Sequence, residues 1–284
     1  MLFRSVWVYT RSGTTWTQQG TQLVGTGGIV AAQGSAVALS ADGNTAVVGG
    51  PQDNGNAGAV WVFVRSGSTW IQQGSKLVGT GAVGNAFQGS AVAISADGNT
   101  VLSGGYFDNT QVGAVWVFTR SLGFWSQQGS KLVGTGATGS SNQGISVALS
   151  ADGNTAMVGG SNDNSGVGAA WVYTRSGSTW SQQGSKLTGT GNTGSANVGR
   201  SVSLAADGNT AIIGGPADNS SRGATWVFTR SGSTWSQQGT KLVGTGFTGS
   251  PNQGVSTGLS ADGDRKSTRL NSSHEWISRM PSSA

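Results

Sequence analysis

One spacing constrains this chain more than any other feature. The pentapeptide Ala-Asp-Gly-Asn-Thr returns every 55 residues, carrying Asp42, Asp97, Asp152 and Asp207, and Asp262 opens a further copy. Trp61, Trp116, Trp171 and Trp226 keep the same step, and Trp7 precedes Trp61 by 54. A fixed period of this length marks a repeat architecture, in which each unit is one supersecondary element stacked on its neighbours. Four whole units start near Gln33, Gln88, Gln143 and Val198, spanning about residues 33–87, 88–142, 143–197 and 198–252, with partial units at both ends.

Within a unit, every segment reads as strand or turn. Ser-Ala-Val-Ala-Leu-Ser (residues 35–40) alternates small polar and apolar side chains, the period of a strand. Asp-Gly then supplies a turn, because Gly and Asn tolerate positive φ. Thr-Ala-Val-Val-Gly-Gly is a return strand, and Pro-Gln-Asp-Asn-Gly-Asn-Ala-Gly is a loop of turn formers. Ala-Val-Trp-Val-Phe-Val-Arg is β-branched and aromatic, hence a third strand, and Thr-Trp-Ile-Gln-Gln-Gly-Ser-Lys-Leu-Val-Gly (residues 69–79) is a fourth. No segment pairs a 3.6-residue apolar period with helix caps, so no helix is expected. Four strands per unit with short turns, repeated radially, predict an all-β β-propeller, open or incomplete, with four full four-stranded blades and a partial fifth.

The last segment breaks the pattern. Residues 264–284 fit no repeat register, and residues 264–274 resemble the translation of a short-read sequencing adapter without a mismatch. Residues 2–5 resemble the end of such an adapter, so residues 1–5 are excluded from fold reasoning with 264–284. The expectation is a propeller fragment over residues 6–263, followed by a tail without strand structure.

That exclusion changes the composition that matters. The whole chain carries 16 Lys and Arg against 11 Asp and Glu, net +5. Setting aside Arg4, Arg265, Lys266, Arg269, Arg279, Asp264 and Glu275 leaves eleven basic and nine acidic residues, net +2. Nucleic acid and anionic membranes lose their electrostatic attraction at that balance. The recurring Arg65, Arg120, Arg175 and Arg230 read as one solvated cation per strand end. Residues 6–263 also contain no His, Cys or Glu. They offer no Ser–His–Asp or Cys–His nucleophile and no His/Cys zinc site. No apolar run is long enough to cross a membrane as a helix. The expectation is a protein that is not an enzyme and uses no cofactor.

Paired tryptophans supply the candidate core: Trp61 and Trp70, Trp116 and Trp125, Trp171 and Trp180, Trp226 and Trp235, with Trp7 and Trp16 ahead of them. A buried aromatic removes roughly 150–250 Å² from water, about 4–6 kcal/mol gross at 25 cal/mol/Å². Because each pair sits at the same place in its unit, packing between units is favoured over a carbohydrate-stacking surface.

These motifs together resemble the FG-GAP repeats of bacterial surface proteins and of the integrin α-subunit propeller. Gln33-Gly34, Gln88-Gly89 and Gln143-Gly144 stand for the family's Phe-Gly. Gly49 to Pro51 and Gly214 to Pro216 stand for Gly-Ala-Pro, and Gly58 to Phe63 and Gly113 to Phe118 for its third strand. The resemblance implies a non-enzymatic scaffold for adhesion or for binding a protein or glycan through its loop faces, secreted or at a cell surface. The family often holds calcium in a longer, acidic hairpin. Here that hairpin offers one carboxylate, whereas calcium takes six to eight oxygens, so Asp42 reads as a turn former.

A second recurring acid, Asp53, Asp108, Asp163 and Asp218, precedes Asn in the loop between the second and third strands. An Asx turn is the favoured reading, and a weak metal ligand is the alternative. Two other classes rank lower. Gly67 to Trp70 echoes the end of the sialidase Asp-box, but Arg65 stands at its Asp position and no local carboxylate pair is present. Tryptophan-aspartate repeats run to about 40–45 residues, shorter than the period here.

Overall fold

The structure, a computed structural model, describes residues 5–268 of the 284-residue chain. Two short strands come first, β1 (Tyr9–Ser12) and β2 (Thr15–Gln18). The first whole unit holds β3 (Ala36–Leu39), β4 (Thr45–Gly50), β5 (Ala59–Ser66) and β6 (Thr69–Gln72). The second holds β7 (Ala91–Ile94), β8 (Thr100–Gly105), β9 (Ala114–Ser121) and β10 (Phe124–Gln127). The third holds β11 (Ser146–Leu149), β12 (Thr155–Gly160), β13 (Ala169–Ser176) and β14 (Thr179–Gln182). The fourth holds β15 (Ser201–Leu204), β16 (Thr210–Gly215), β17 (Ala224–Ser231) and β18 (Thr234–Gln237). β19 (Thr257–Leu259) and β20 (Lys266–Thr268) end the described chain.

Each whole unit is one open four-stranded antiparallel sheet whose strands pair in chain order. β1–β2 and β19–β20 form separate two-stranded sheets. The register repeats with the sequence: Val48 lies opposite Trp61, Ser103 opposite Trp116, Val158 opposite Trp171 and Ile213 opposite Trp226. β20 corrects the expectation that residues 264–284 contain no strand. Lys266 pairs with Leu259, where Ala46 pairs with Leu39 in the first unit. A strand ladder is made by the main chain, which tolerates the change in side chains. His274, Glu275 and Trp276 lie outside the described residues.

Four one-turn helical segments, α1 (Asp53–Asn56), α2 (Asp108–Gln111), α3 (Asp163–Gly166) and α4 (Asp218–Ser221), correct the expectation of no helix. Each contains two left-handed residues, such as Asn54 and Gly55, so each reverses the chain within one turn and does not propagate. The closing bond runs from the Gly58 amide to the Asp53 carbonyl at 2.9 Å, and Gly113, Gly168 and Gly223 repeat it.

The core lies between successive sheets. Val47, Val60, Val62 and Leu77 of the first unit pack with Val101, Trp116 and Phe118 of the second. The pairs formed by the second and third units, and by the third and fourth, repeat this arrangement. First strands lie side by side, β3 against β7, β7 against β11, β11 against β15 and β15 against β19. Their turns are joined by single main-chain bonds, from the amides of Ala41, Ala96, Ala151 and Ala206 to the carbonyls of Ala96, Ala151, Ala206 and Ala261 at 2.9–3.1 Å. Close approach demands glycine where units meet. A Cβ on Gly49 would strike the Gly89 carbonyl, and one on Gly79 would fall inside the Trp116 ring.

The two tryptophans of a pair are not equivalent. Trp61, Trp116, Trp171 and Trp226 have no exposed surface. Each donates its indole N–H to a main-chain carbonyl, of Thr26, Thr80, Thr135 and Thr190 respectively, at 2.8–2.9 Å. Trp70, Trp125, Trp180 and Trp235 are half-buried at the sheet margin. Trp125 donates to the Gln73 side chain of the preceding unit at 2.9 Å, with the Arg120 guanidinium 5.3 Å from its ring. Trp7 and Trp16 are exposed, so the pairing of tryptophans into a core does not extend to them.

Candidate functional site

Chain direction sorts the loops of every unit onto two ends. Turns between first and second strands, carrying Asp42 and its equivalents, lie at one end together with Arg65 and its equivalents. Segments α1–α4 and the loops that enter each first strand lie at the other.

At the first end, the Asp42 carboxylate accepts from the Ser40 hydroxyl at 2.6 Å and from the Asn44 amide and side chain at 2.9 Å each. Asn44 in turn accepts from Arg65 Nε at 2.9 Å. The bond two residues on is an Asx turn, the role expected from sequence. The Ser40 bond, with those from Asn44, holds the Asp42 pKa down at about 2. Burial of Asp97 and Asp152 acts to raise their pKa values. The bonds from Ser95 and Asn99, and from Ser150 and Asn154, outweigh it and lower both, helped by Arg120 and Arg175.

A carboxylate with a lowered folded-state pKa contributes stability that is complete above its unfolded value, near 4, and that is lost as pH falls through the folded value. The chain is therefore expected to lose stability between about pH 4 and pH 2. Asn at Asp42, Asp97 and Asp152 together should flatten that slope. Urea unfolding at stepped pH measures it, and an unchanged slope in the triple variant would refute the assignment.

At the second end, Asp53, Asp108, Asp163 and Asp218 are each 1 % exposed. Their geometry corrects the Asx-turn reading. Asp108 Oδ1 accepts from the Val83 amide at 2.7 Å, and Oδ2 from Lys131 Nζ at 2.5 Å. Asp53 does the same with Ile29 and Lys76, Asp163 with Thr138 and Lys186, and Asp218 with Thr193 and Lys241. Each carboxylate thus ties three segments together: its own loop, the loop entering the first strand, and the segment after the fourth. The lysine ammonium takes the position a cation would need. Among the described residues no group of three or more His, Cys, Asp or Glu converges. The lysines went unnoticed in the sequence, although each follows its aspartate by 23 residues in every unit.

The recurring glutamines Gln33, Gln88 and Gln143 also have a role that sequence reading missed. Gln88 is 1 % exposed, and its side-chain amide clamps one residue, accepting from the Gly79 N–H at 2.6 Å and donating to the Gly79 carbonyl at 2.9 Å. Gln33 and Gln143 clamp Gly25 and Gly134 in the same way, which fixes the segment that covers the buried tryptophan.

The junction of the first and second units differs from the other junctions at this end. Phe87, Tyr106 and Phe107 form an aromatic cluster with ring centroids 5.4–6.0 Å apart. The equivalent places in the other repeats hold Ala32, Pro51 and Gln52, then Asn142, Ser161 and Asn162, then Asn197, Pro216 and Ala217. Phe87 adopts φ +58, a left-handed conformation that Asn142 and Asn197 also adopt. Asparagine tolerates this region better than most side chains, and here its amide also ties down the preceding loop. Asn142 donates to the Tyr106 carbonyl at 3.2 Å and Asn197 to the Ser161 carbonyl at 3.0 Å. Phenylalanine makes no such bond and is a steric outlier there. Thr110, β-branched, is also left-handed at φ +55. Strain of this kind costs of order 1–3 kcal/mol per residue and persists where surroundings enforce it, commonly at binding sites.

No family model matches the chain, and no curated protein matches it significantly.

Proposed function

We propose that the stacked sheets are successive blades of a propeller-type scaffold. In this reading the protein is not an enzyme and binds a protein or glycan ligand through the loop end that carries Phe87, Tyr106 and Phe107. The aromatic cluster carries the proposal. It occurs in one repeat only, at an exposed end of the sheet, and it holds a phenylalanine in the left-handed conformation that the other repeats give to a smaller residue, Ala32, Asn142, Asn197 or Asn252. Loops on a rigid scaffold are where binding residues concentrate, and aromatic faces supply contact area at low entropic cost. The stacking of sheets through repeated cores, with first strands side by side, supports the scaffold half of the reading. Adhesion and an extracellular location follow from the FG-GAP resemblance.

The test replaces the cluster by the residues at the next junction, Asn142, Ser161 and Asn162, in the variant Phe87→Asn, Tyr106→Ser, Phe107→Asn. Both proteins are passed over immobilised panels of oligosaccharides and peptides. Retention of a ligand by the natural sequence, reduced at least about tenfold in the variant with thermal stability kept, is the expected result; each 1.4 kcal/mol of lost contact is tenfold. Equal retention by both proteins, or none by the natural sequence, would remove the cluster as the binding site.

A further inference from the structure

We infer that the cluster of Phe87, Tyr106 and Phe107 takes an apolar side chain of a peptide segment rather than a sugar; this rests on the binding role proposed above and narrows its ligand. Val83 extends the cluster. Its carbonyl accepts from the Asn109 amide at 2.9 Å, and the Phe107 amide donates to the Ala86 carbonyl at 3.4 Å. The loop carrying Val83 and Phe87 is thereby tied to the one carrying Tyr106 and Phe107. Val83 is 53 % exposed and Phe107 36 %, with Phe87 and Tyr106 half-buried. Ile29 stands for Val83 in the preceding repeat, but with Ala32, Pro51 and Gln52, and Thr138 and Thr193 stand for it in the repeats that follow. Four large apolar or aromatic side chains are therefore gathered at this junction alone among those described. Asp108 is the one charged residue in residues 79–89 and 104–113, and it is buried and paired with Lys131.

Ring geometry and polarity decide the class of ligand. A sugar stacks flat on an open aromatic face and needs polar partners for its hydroxyls, which are costly to bury unpaired. Here Tyr106 and Phe107 meet at 86°, and Phe87 is tilted by 38° and 55° to them. The rings pack on one another and present a faceted surface, not a flat platform. Val83, Phe87 and Phe107 have no polar side-chain atom, and Tyr106 adds one hydroxyl. Such a surface fits an aliphatic or aromatic side chain. Asn85, Asn109 and Thr110, next to these residues in the chain, are exposed. An apolar centre with a polar rim is the make-up of a protein-binding patch, and the rim amides can pair with a peptide main chain. The left-handed Phe87 and Thr110 shape both loops before a ligand arrives, and a site ordered in advance loses less entropy on binding.

The full chain is panned against a displayed library of random-sequence peptides, and the enriched sequences are synthesised and titrated by calorimetry. Enriched peptides are expected to share a Leu, Ile, Met or Phe. Binding should fall at least about tenfold when that residue is replaced by Ala, and by a similar factor in the variant Val83→Thr, Phe107→Asn, as for loss of a central anchor. It should stay within about twofold in Tyr106→Phe and between low and high salt, because no free charge takes part. Thermal melting of each variant separates lost binding from lost folding, and both replacement residues already occupy these places at the next junction, as Thr138 and Asn162. Absence of enrichment, enriched peptides whose binding depends on charge and salt, or binding indifferent to Val83 and Phe107 would overturn the inference. An oligosaccharide retained in place of peptides, and lost with the cluster, would overturn it while keeping the cluster as the binding site. Retention of neither class would remove both.

Discussion

Replacing Trp116 by Ala should lower the free energy of unfolding by about 3–5 kcal/mol, the usual range for deleting a large aromatic from a core. The same change at Trp125 should cost roughly 1–2 kcal/mol, because only part of that side chain leaves water and its cation–π contact is worth about 0.5–1 kcal/mol at an exposed site. Trp116 is fully buried between the first and second sheets, its indole N–H bonded to Thr80 and its ring covered by Gly79. Deleting it opens a cavity that the flanking strands cannot fill without leaving their register. Gly79→Ala should also destabilise, since its Cβ has no space beside the ring. Urea unfolding of the three variants measures the differences. Equal losses at Trp116 and Trp125 would show that the two rows share the load, contrary to their burial.

Removal of Lys131 is expected to do more damage than removal of the charge on Asp108. Asp108 is 1 % exposed and Lys131 18 %. In Lys131→Met the carboxylate stays buried with the Val83 amide as its remaining donor, and breaking a buried pair in this way costs about 3–5 kcal/mol. In Asp108→Asn the lysine head can turn toward water and the Val83 bond can persist, so the cost should be about 1–2 kcal/mol. The double variant should recover part of the loss from Lys131→Met, because no unpaired carboxylate remains. The same occupancy sets the response to calcium. With both oxygens engaged, melting in excess calcium and in a chelator should coincide. A ligand present at 100 times its dissociation constant would add about 2.7 kcal/mol. A rise in melting temperature of that size would promote Asp53, Asp108, Asp163 and Asp218 to metal ligands.

The 55-residue period was enough to place the strands, because an alternating apolar pattern and a turn that needs Gly are local properties of the chain. β4, β5 and their equivalents fall where Thr-Ala-Val-Val-Gly-Gly and Ala-Val-Trp-Val-Phe are read as strands. The Asp42 turn was legible for the same reason, since its bonds reach only two residues either way. The second aspartate was misread because its partners are distant: Lys76 and Ile29 lie 23 and 24 residues from Asp53 and meet it only when three loops converge. Constant spacing flagged these residues as a group, but could not say that a lysine 23 positions on closes each one. Only the stacking of sheets separated the buried tryptophan row from the marginal one. Both rows recur with the same period, and burial depends on which neighbouring surface is present to exclude water.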